Sequence, residues 1–96
     1  MGPMMQLGEI VERLASLDQE ATIYAAEPWT AKSAAIIARE PGSGEVPEPV
    51  AREGVKYFLE VFVASEFLAG WESTLGRTPT GEERCERLIR YAIDDA

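Results

Sequence analysis

The residues best placed to do chemistry lie on one predicted strand, where a carboxylate stands between two aromatic rings. Glu60 alternates with Phe58 and Phe62, so the three side chains share one face if the chain is extended. A carboxylate among aromatic rings can have a raised pKa and act as an acid or base, or it can bind a cation. This face, with Tyr24 near it, is the candidate small-molecule site. A half-exposed glutamate at the sheet rim is the favoured interpretation, because no second catalytic group lies nearby in the sequence.

Histidine is missing from the chain, which removes several chemistries. Ser–His and Cys–His nucleophile pairs, histidine bases and most zinc or non-haem iron sites all require it. The single cysteine, Cys85, lies on the apolar stripe of the last predicted helix, so a buried structural thiol is favoured over a nucleophile. The acidic pairs Glu82-Glu83 and Asp94-Asp95 lack the spacing of a calcium loop. The sequence therefore predicts no catalytic residue, no cofactor and no metal site.

Trp29 follows Pro28 in a connection between two apolar segments. Tryptophan and tyrosine often anchor interfaces, because they bury a large area at low entropic cost. A connection that folds its tryptophan back over the end of a sheet is equally common, so an exposed and a packed Trp29 both stay open. The candidate partner or ligand contacts are Tyr24, Trp29, Phe58, Glu60 and Phe62.

The charge of the chain favours some partners over others. Seventeen acidic and nine basic residues give a net charge of −8. Such a surface repels nucleic acids and anionic membranes, but it can steer a basic protein toward itself. An acidic composition without any basic partner is also common. One cysteine fits a reducing cytoplasm, and no basic region precedes an apolar block at the N-terminus.

Hydrophobic periodicity places these residues in six elements. The segment Ser33–Arg39 is read as a strand because Ile36-Ile37 is β-branched, although its alanines leave a helix open. Thr80 and Glu83 have the spacing of a capping box for the last helix. The expected buried stripe of that helix is Cys85, Leu88, Ile89, Ala92 and Ile93. The other elements are a helix over Met4–Leu17, strands over Ala21–Ala26 and Val55–Ala64, and a helix beginning at Ser65 and closed by Gly76.

The order α-β-β-β-α-α predicts an α+β fold, with a small antiparallel sheet and helices packed mainly on one face. Residues 1–96 are expected to form a single domain. Residues 1–3 are expected to be disordered or left over from cloning, and residues 40–54 to form a long loop rich in proline, glycine and glutamate.

The strings "TIYAAEPW", "YFLEVFVASEFL" and "CERLIRYAIDDA" resemble a family of small acidic bacterial proteins of unknown function. The resemblance covers nearly the whole chain and carries over no catalytic residues. It implies a protein of the kind carried on mobile gene cassettes or encoded beside toxin genes, where immunity proteins are often small and acidic.

Three hypotheses follow from these observations. The favoured one is a non-enzymatic cytoplasmic binding protein with an acidic surface, such as an immunity-type inhibitor of a basic protein. The alternative is a small-molecule-binding domain that uses the face carrying Phe58, Glu60 and Phe62. The third is a homodimer that buries a strand edge or the second face of the sheet.

Overall fold

The structure of the protein is a computed structural model that describes residues 4–39 and 54–95. The predictions for residues 1–3, and for the loop as far as residue 53, lie outside this part of the chain. The elements are β1 (Met5–Gln6), α1 (Leu7–Glu12), a 3-10 turn (Leu14–Ser16), β2 (Thr22–Ala25), β3 (Ala34–Ala38), β4 (Lys56–Glu60), α2 (Val61–Glu72) and α3 (Gly81–Asp95).

The strands form one antiparallel sheet of four strands in the order β1-β3-β2-β4. This confirms the predicted α+β fold, and it confirms that β3 is a strand rather than a helix. The fourth strand was not predicted, because Met5 and Gln6 were assigned to the first helix. They pair instead with Ala35 and Ala34 at the outer edge of β3.

The first helix begins later than predicted, because its first two residues are hydrogen-bonded to the connection before β3, and it ends earlier, at Glu12. The Leu7 N–H donates to the Ser33 carbonyl at 2.9 Å, and the Gly8 N–H donates to the Ala31 carbonyl at 2.8 Å. These bonds satisfy amides that have no partner inside the helix. A Cβ on Gly8 would lie 3.1 Å from the Ala31 carbonyl oxygen, so glycine allows this close approach.

The predicted strand over residues 55–64 is wrong in its second half. The ladder ends at Glu60, and α2 begins at Val61. The Val61 N–H donates to the Ala21 carbonyl at 2.9 Å, and the Phe62 N–H donates to the Gln19 carbonyl at 3.2 Å. Because these bonds turn the chain into a helix, Ser65 lies inside α2 and does not cap it.

A β-bulge in β4 changes which residues share a face. Ile23 pairs with Leu59, but the next residue of β2, Tyr24, pairs with Tyr57. Phe58 is therefore the extra residue, and it points to the same side of the sheet as Leu59. Both side chains are buried.

The main core lies between the sheet and the three helices. It contains buried side chains from every helix and from the face of the sheet that carries Ile23 and Ala25. A smaller cluster lies on the other face, where Tyr24, Ile36 and Val55 pack together. The helices therefore cover mainly one face of the sheet, as predicted.

The last helix begins as predicted and departs from its predicted stripe at one end. The Glu83 N–H donates to Thr80 Oγ1 at 3.1 Å, and the Thr80 N–H donates to Glu83 Oε1 at 3.0 Å, which confirms the capping box. Cys85 is buried, but Ile93 is 64% exposed, so its place in the stripe is corrected. In the described part of the chain, no helix has the length and apolar character needed to cross a bilayer.

Candidate functional site

The structure separates the residues of the predicted aromatic site. Phe58 has no exposed surface and packs in the main core, because the bulge turns it toward the helices. Glu60 pairs with Thr22 and lies toward the opposite face with Tyr24. The prediction that Phe58 and Glu60 share a face is therefore wrong, since alternation fails at a bulge.

Trp29 is partly buried and packs against the main core. Its ring meets Phe58 edge to face, with the centroids 4.9 Å apart. Its Nε1–H donates to the Ala25 carbonyl at 3.1 Å, so the polar group of the ring has a partner within the chain. The sequence left both an exposed and a packed Trp29 open, and the structure shows the packed one.

Glu60 and Phe62 do come together, in an open depression of about 510 Å³. Phe62 is 50% exposed there. The only cation lining the depression, among the residues that the structure describes, is Arg39, whose Nε donates to Asp18 at 2.6 Å. Arg39 Nη1 also lies 3.1 Å from Glu20 Oε2, so the positive charge of Arg39 is already shared between two carboxylates. This surface offers a half-exposed ring and an exposed carboxylate.

The unpaired carboxylates are not spread evenly over the described residues. Asp18, Glu20, Glu27, Glu72, Glu83 and Asp94 each lie within 4 Å of an arginine or lysine nitrogen. Within residues 4–39 and 54–94, the carboxylates without such a pair are Glu9, Glu12, Glu60, Glu66, Glu82 and Glu86. Most of the second group belongs to α1 and α3, which pack against each other.

An acidic groove lies where α1 meets the start of α3. Its volume is about 380 Å³, and we define it by Glu9, Glu12, Glu82 and the buried Cys85. Lys32 is the one cation that lines it among the described residues. Like charges held together on adjacent helices repel one another, and a cation placed between them relieves that repulsion.

Gly81 leaves room for a carboxylate of the groove at the start of α3. The position that a Cβ of Gly81 would occupy is taken by the Glu12 carboxylate. Glu12 therefore lies at the N-terminal end of α3, where the helix dipole favours a negative charge. This contact places one carboxylate of the groove beside the first residue of α3.

The thiol of Cys85, which lines the acidic groove, has a shifted pKa. Burial raises the pKa of its thiol to about 11, with the charges of Glu86 and Glu12 adding to the effect. A thiol with this pKa stays protonated at neutral pH and is a poor nucleophile. Cys85 is completely buried, which agrees with the prediction of a buried structural thiol.

A second cavity, open to solvent and also lined by Glu12, lies where α1, the 3-10 turn, α2 and α3 meet. Its volume is about 440 Å³. Its lining is both apolar and polar: Val11, Leu14, Ala15 and Leu68 on the one hand, and Glu12, Gln19, Ser65, Glu72 and Arg84 on the other.

Two polar side chains that line the second cavity, Arg84 and Gln19, donate hydrogen bonds within the chain. Arg84 donates through Nε and Nη2 to Glu72 Oε1, at 3.2 and 3.0 Å, in a partly buried pair. Gln19 donates to the carbonyls of Leu14 and Leu17, both at 3.0 Å. The Ser65 hydroxyl is buried and has no hydrogen-bond partner among the described residues.

The groove is lined mainly by polar and charged side chains, and the second cavity by both apolar and charged ones. Among the described residues, no group of three or more histidine, cysteine, aspartate or glutamate side chains is arranged to hold a metal ion. The residues that line the acidic groove were not predicted as a site. Glu9 and Glu12 lie within the predicted first helix, but their approach to Glu82 depends on how the helices pack.

Known proteins give no guide to the function of this chain. No family model matches the chain, and neither the curated proteins nor the solved structures give a significant match. The resemblance to small acidic bacterial proteins therefore stays a prediction.

Proposed function

We propose that this protein is a non-enzymatic binding protein that receives a basic segment of a partner protein in its acidic groove. The observation that carries the proposal is the concentration of unpaired carboxylates along α1 and α3, on both sides of one groove. Glu9, Glu12 and Glu82 all line this groove, so lysine and arginine side chains of a bound segment would lie near these carboxylates.

The expected interaction is modest in strength and sensitive to salt. A single exposed ion pair contributes about 0.2–1 kcal/mol, so several such pairs must form together to give useful affinity. The net charge of −8 adds long-range attraction, which raises the association rate of a basic partner at low ionic strength. We therefore expect affinity to fall steeply as salt shortens the Debye length.

The chemistry of the chain supports binding rather than turnover. Histidine is missing from the sequence, and the one thiol has a pKa raised to about 11. A small-molecule site built from Phe58, Glu60 and Phe62 is not favoured, because Phe58 is buried on the other side of the sheet.

The finer proposal is an immunity-type inhibitor of a basic protein, or another product of a mobile gene cassette, that acts in the cytoplasm. It is supported by the acidic composition, the single cysteine and the sequence resemblance. The neighbouring genes test it, since an adjacent reading frame for a basic, nuclease-like protein would support an inhibitor.

Self-association remains a separate hypothesis. The strand order leaves β4 at one edge of the sheet. Light scattering at high micromolar concentration tests the homodimer directly, and a monomer mass would remove it.

The groove is tested by a matched pair of charge-neutralising variants. The probe is a fluorescein-labelled 12-residue peptide of alternating lysine and serine, and the measurement is fluorescence anisotropy at 20 mM and 200 mM NaCl. The groove variant is Glu12→Gln/Glu82→Gln, and the control Glu60→Gln/Glu66→Gln removes the same charge elsewhere.

We expect the groove variant to weaken binding at low salt by about fivefold or more, and the control by less than about twofold, because only the groove variant removes charges that the bound peptide contacts directly. Equal losses in both variants would mean that net charge alone attracts the peptide, and the proposal would fail.

A further inference from the structure

One side of the acidic groove is formed by a turn that carries a lysine. Ala31 and Lys32, in the connection between β2 and β3, line the groove together with residues of α1 and α3. Lys32 is exposed, and it is the one cation of this lining among the described residues. A positive charge of the chain itself therefore borders the groove that the proposed partner would enter with its own cations.

The backbone of this turn is held by hydrogen bonds on both of its sides. Within the turn, the Ser33 N–H donates to the Thr30 carbonyl at 3.0 Å, and the Thr30 N–H donates to Ser33 Oγ at 2.8 Å. Toward α1, the Ala31 carbonyl accepts from the Gly8 N–H at 2.8 Å. These bonds keep the backbone of Lys32 beside the start of α1, so only its side chain can move away from an incoming cation.

The charge of Lys32 is not balanced by a close carboxylate. Within residues 4–39 and 54–94, no carboxylate oxygen lies within 4 Å of its ammonium group. The other lysine of the chain, Lys56, lies 3.8 Å from Glu27 Oε1. An ammonium group without a close counter-ion repels any cation that approaches within about a Debye length, which is roughly 10 Å at 0.1 M ionic strength.

We infer that Lys32 is a repulsive element of the acidic groove, which holds the affinity of the groove for basic segments below the value that its glutamates alone would give. This inference rests on the proposed function, and it concerns the regulation of the same site. Binding sites commonly combine attractive groups with a repulsive one, because the repulsive group weakens unwanted complexes. Any change that removes the charge of Lys32 should therefore strengthen the binding of a basic segment.

The test compares the two lysines of the chain. Lys32→Gln removes the charge beside the groove, and the matched control Lys56→Gln removes the same charge from β4, outside the residues that line the groove. Both side chains are exposed, so neither substitution opens a cavity. The probe is the fluorescein-labelled lysine–serine peptide, and the measurement is anisotropy at 20 mM and 200 mM NaCl. Far-UV circular dichroism verifies that both variants are folded.

A third variant places Lys32→Gln in the groove variant Glu12→Gln/Glu82→Gln. If the peptide lies in the groove, the gain from Lys32→Gln should become smaller when these two carboxylates are neutralised, because the peptide then spends less time near residue 32.

We expect Lys32→Gln to bind the peptide about threefold or more tighter than the unmodified protein at 20 mM NaCl, and Lys56→Gln less than about 1.5-fold tighter. The gain should shrink at 200 mM NaCl, because salt screens the repulsion. Equal gains in the two single variants, no gain in Lys32→Gln, or a gain that is undiminished in the third variant would overturn the inference and leave the proposed function to its own test. If the peptide binds neither the unmodified protein nor Lys32→Gln, the proposed function fails, and the inference with it.

Discussion

Trp29 packs edge to face against Phe58, with ring planes at 90° and centroids 4.9 Å apart. The contact joins the connection after β2 to the bulge of β4. Because the Trp29 Nε1–H also donates to the Ala25 carbonyl, the ring is held at both its apolar and its polar end. A tryptophan at this turn therefore closes the core beside the bulge.

Replacing Trp29 with phenylalanine should lower the free energy of unfolding by about 1–2 kcal/mol. The substitution removes the hydrogen bond to Ala25 and part of the aromatic contact, while it keeps an apolar ring. Urea denaturation followed by circular dichroism measures the change. Unchanged stability would show that Trp29 does not support the core.

Replacing phenylalanine with leucine should have different effects at Phe58 and at Phe62. Phe58→Leu should lower the free energy of unfolding by about 1.5 kcal/mol, because Phe58 is fully buried and its neighbours cannot refill the space. Phe62→Leu should change it by less than about 0.5 kcal/mol, because Phe62 is half exposed. Equal costs in urea denaturation would contradict the bulge, since simple alternation gives the two rings similar surroundings.

The fold class and most elements could be predicted from periodicity, but the bulge could not. The alternation of side chains over residues 55–64 contains no signal that one residue is inserted relative to the neighbouring strand. The spacing of Val61, Ala64 and Leu68 does match a helical stripe, yet the β-branched and aromatic residues there favoured a strand. Tertiary hydrogen bonds from the Val61 and Phe62 N–H groups to the carbonyls of Ala21 and Gln19 outweigh that local preference.

The acidic groove could not be predicted for a different reason. Each of its carboxylates is an ordinary exposed glutamate in its own helix. Glu12 becomes part of a site because it reaches the first residue of α3, Gly81, far away in the sequence. Such a contact depends on how two helices pack, which one sequence without alignment does not report.

The pair between Arg77 and Glu83 should make stability depend on pH. Arg77 donates to both Glu83 oxygens, at 3.0 and 2.6 Å, and lowers the pKa of Glu83 to about 2, with help from the Thr80 N–H. The ordinary value is 4.5, so the folded state holds this carboxylate ionised more strongly than the unfolded state. Its contribution is present above pH 4.5 and lost as pH falls toward 2.

The difference in unfolding free energy between the unmodified protein and Glu83→Gln should therefore be constant from pH 7 to 6 and shrink from pH 4.5 to 2. Urea denaturation at each pH measures it, with Glu82→Gln as the control for general acidity. A difference that does not narrow in this range would contradict the shifted pKa. High salt should reduce the difference at neutral pH, because both side chains are partly exposed.

Gly81→Ala should separate binding from stability. The backbone of Gly81 does not need glycine, since the positive-φ glycines of the described residues are Gly54 and Gly76. A new Cβ displaces the flexible Glu12 carboxylate, so the free energy of unfolding should change by less than about 0.5 kcal/mol. Affinity for the lysine–serine peptide should nevertheless fall about twofold to fivefold, in line with the loss of one exposed ion pair.

The matched control is Gly70→Ala in α2, where a Cβ meets no atom within 4 Å. It should stabilise the helix by up to about 1 kcal/mol and leave peptide affinity unchanged. If both substitutions weaken binding alike, the effect of Gly81→Ala cannot be assigned to Glu12.

Backbone amide chemical shifts, recorded while the lysine–serine peptide is titrated into the protein, test the central claim most directly. The account predicts that the largest changes cluster at Gly8, Glu9, Glu12, Gly81 and Glu82, around the acidic groove. Changes centred instead on Glu60 and Phe62, or spread evenly over the acidic surface, would contradict it.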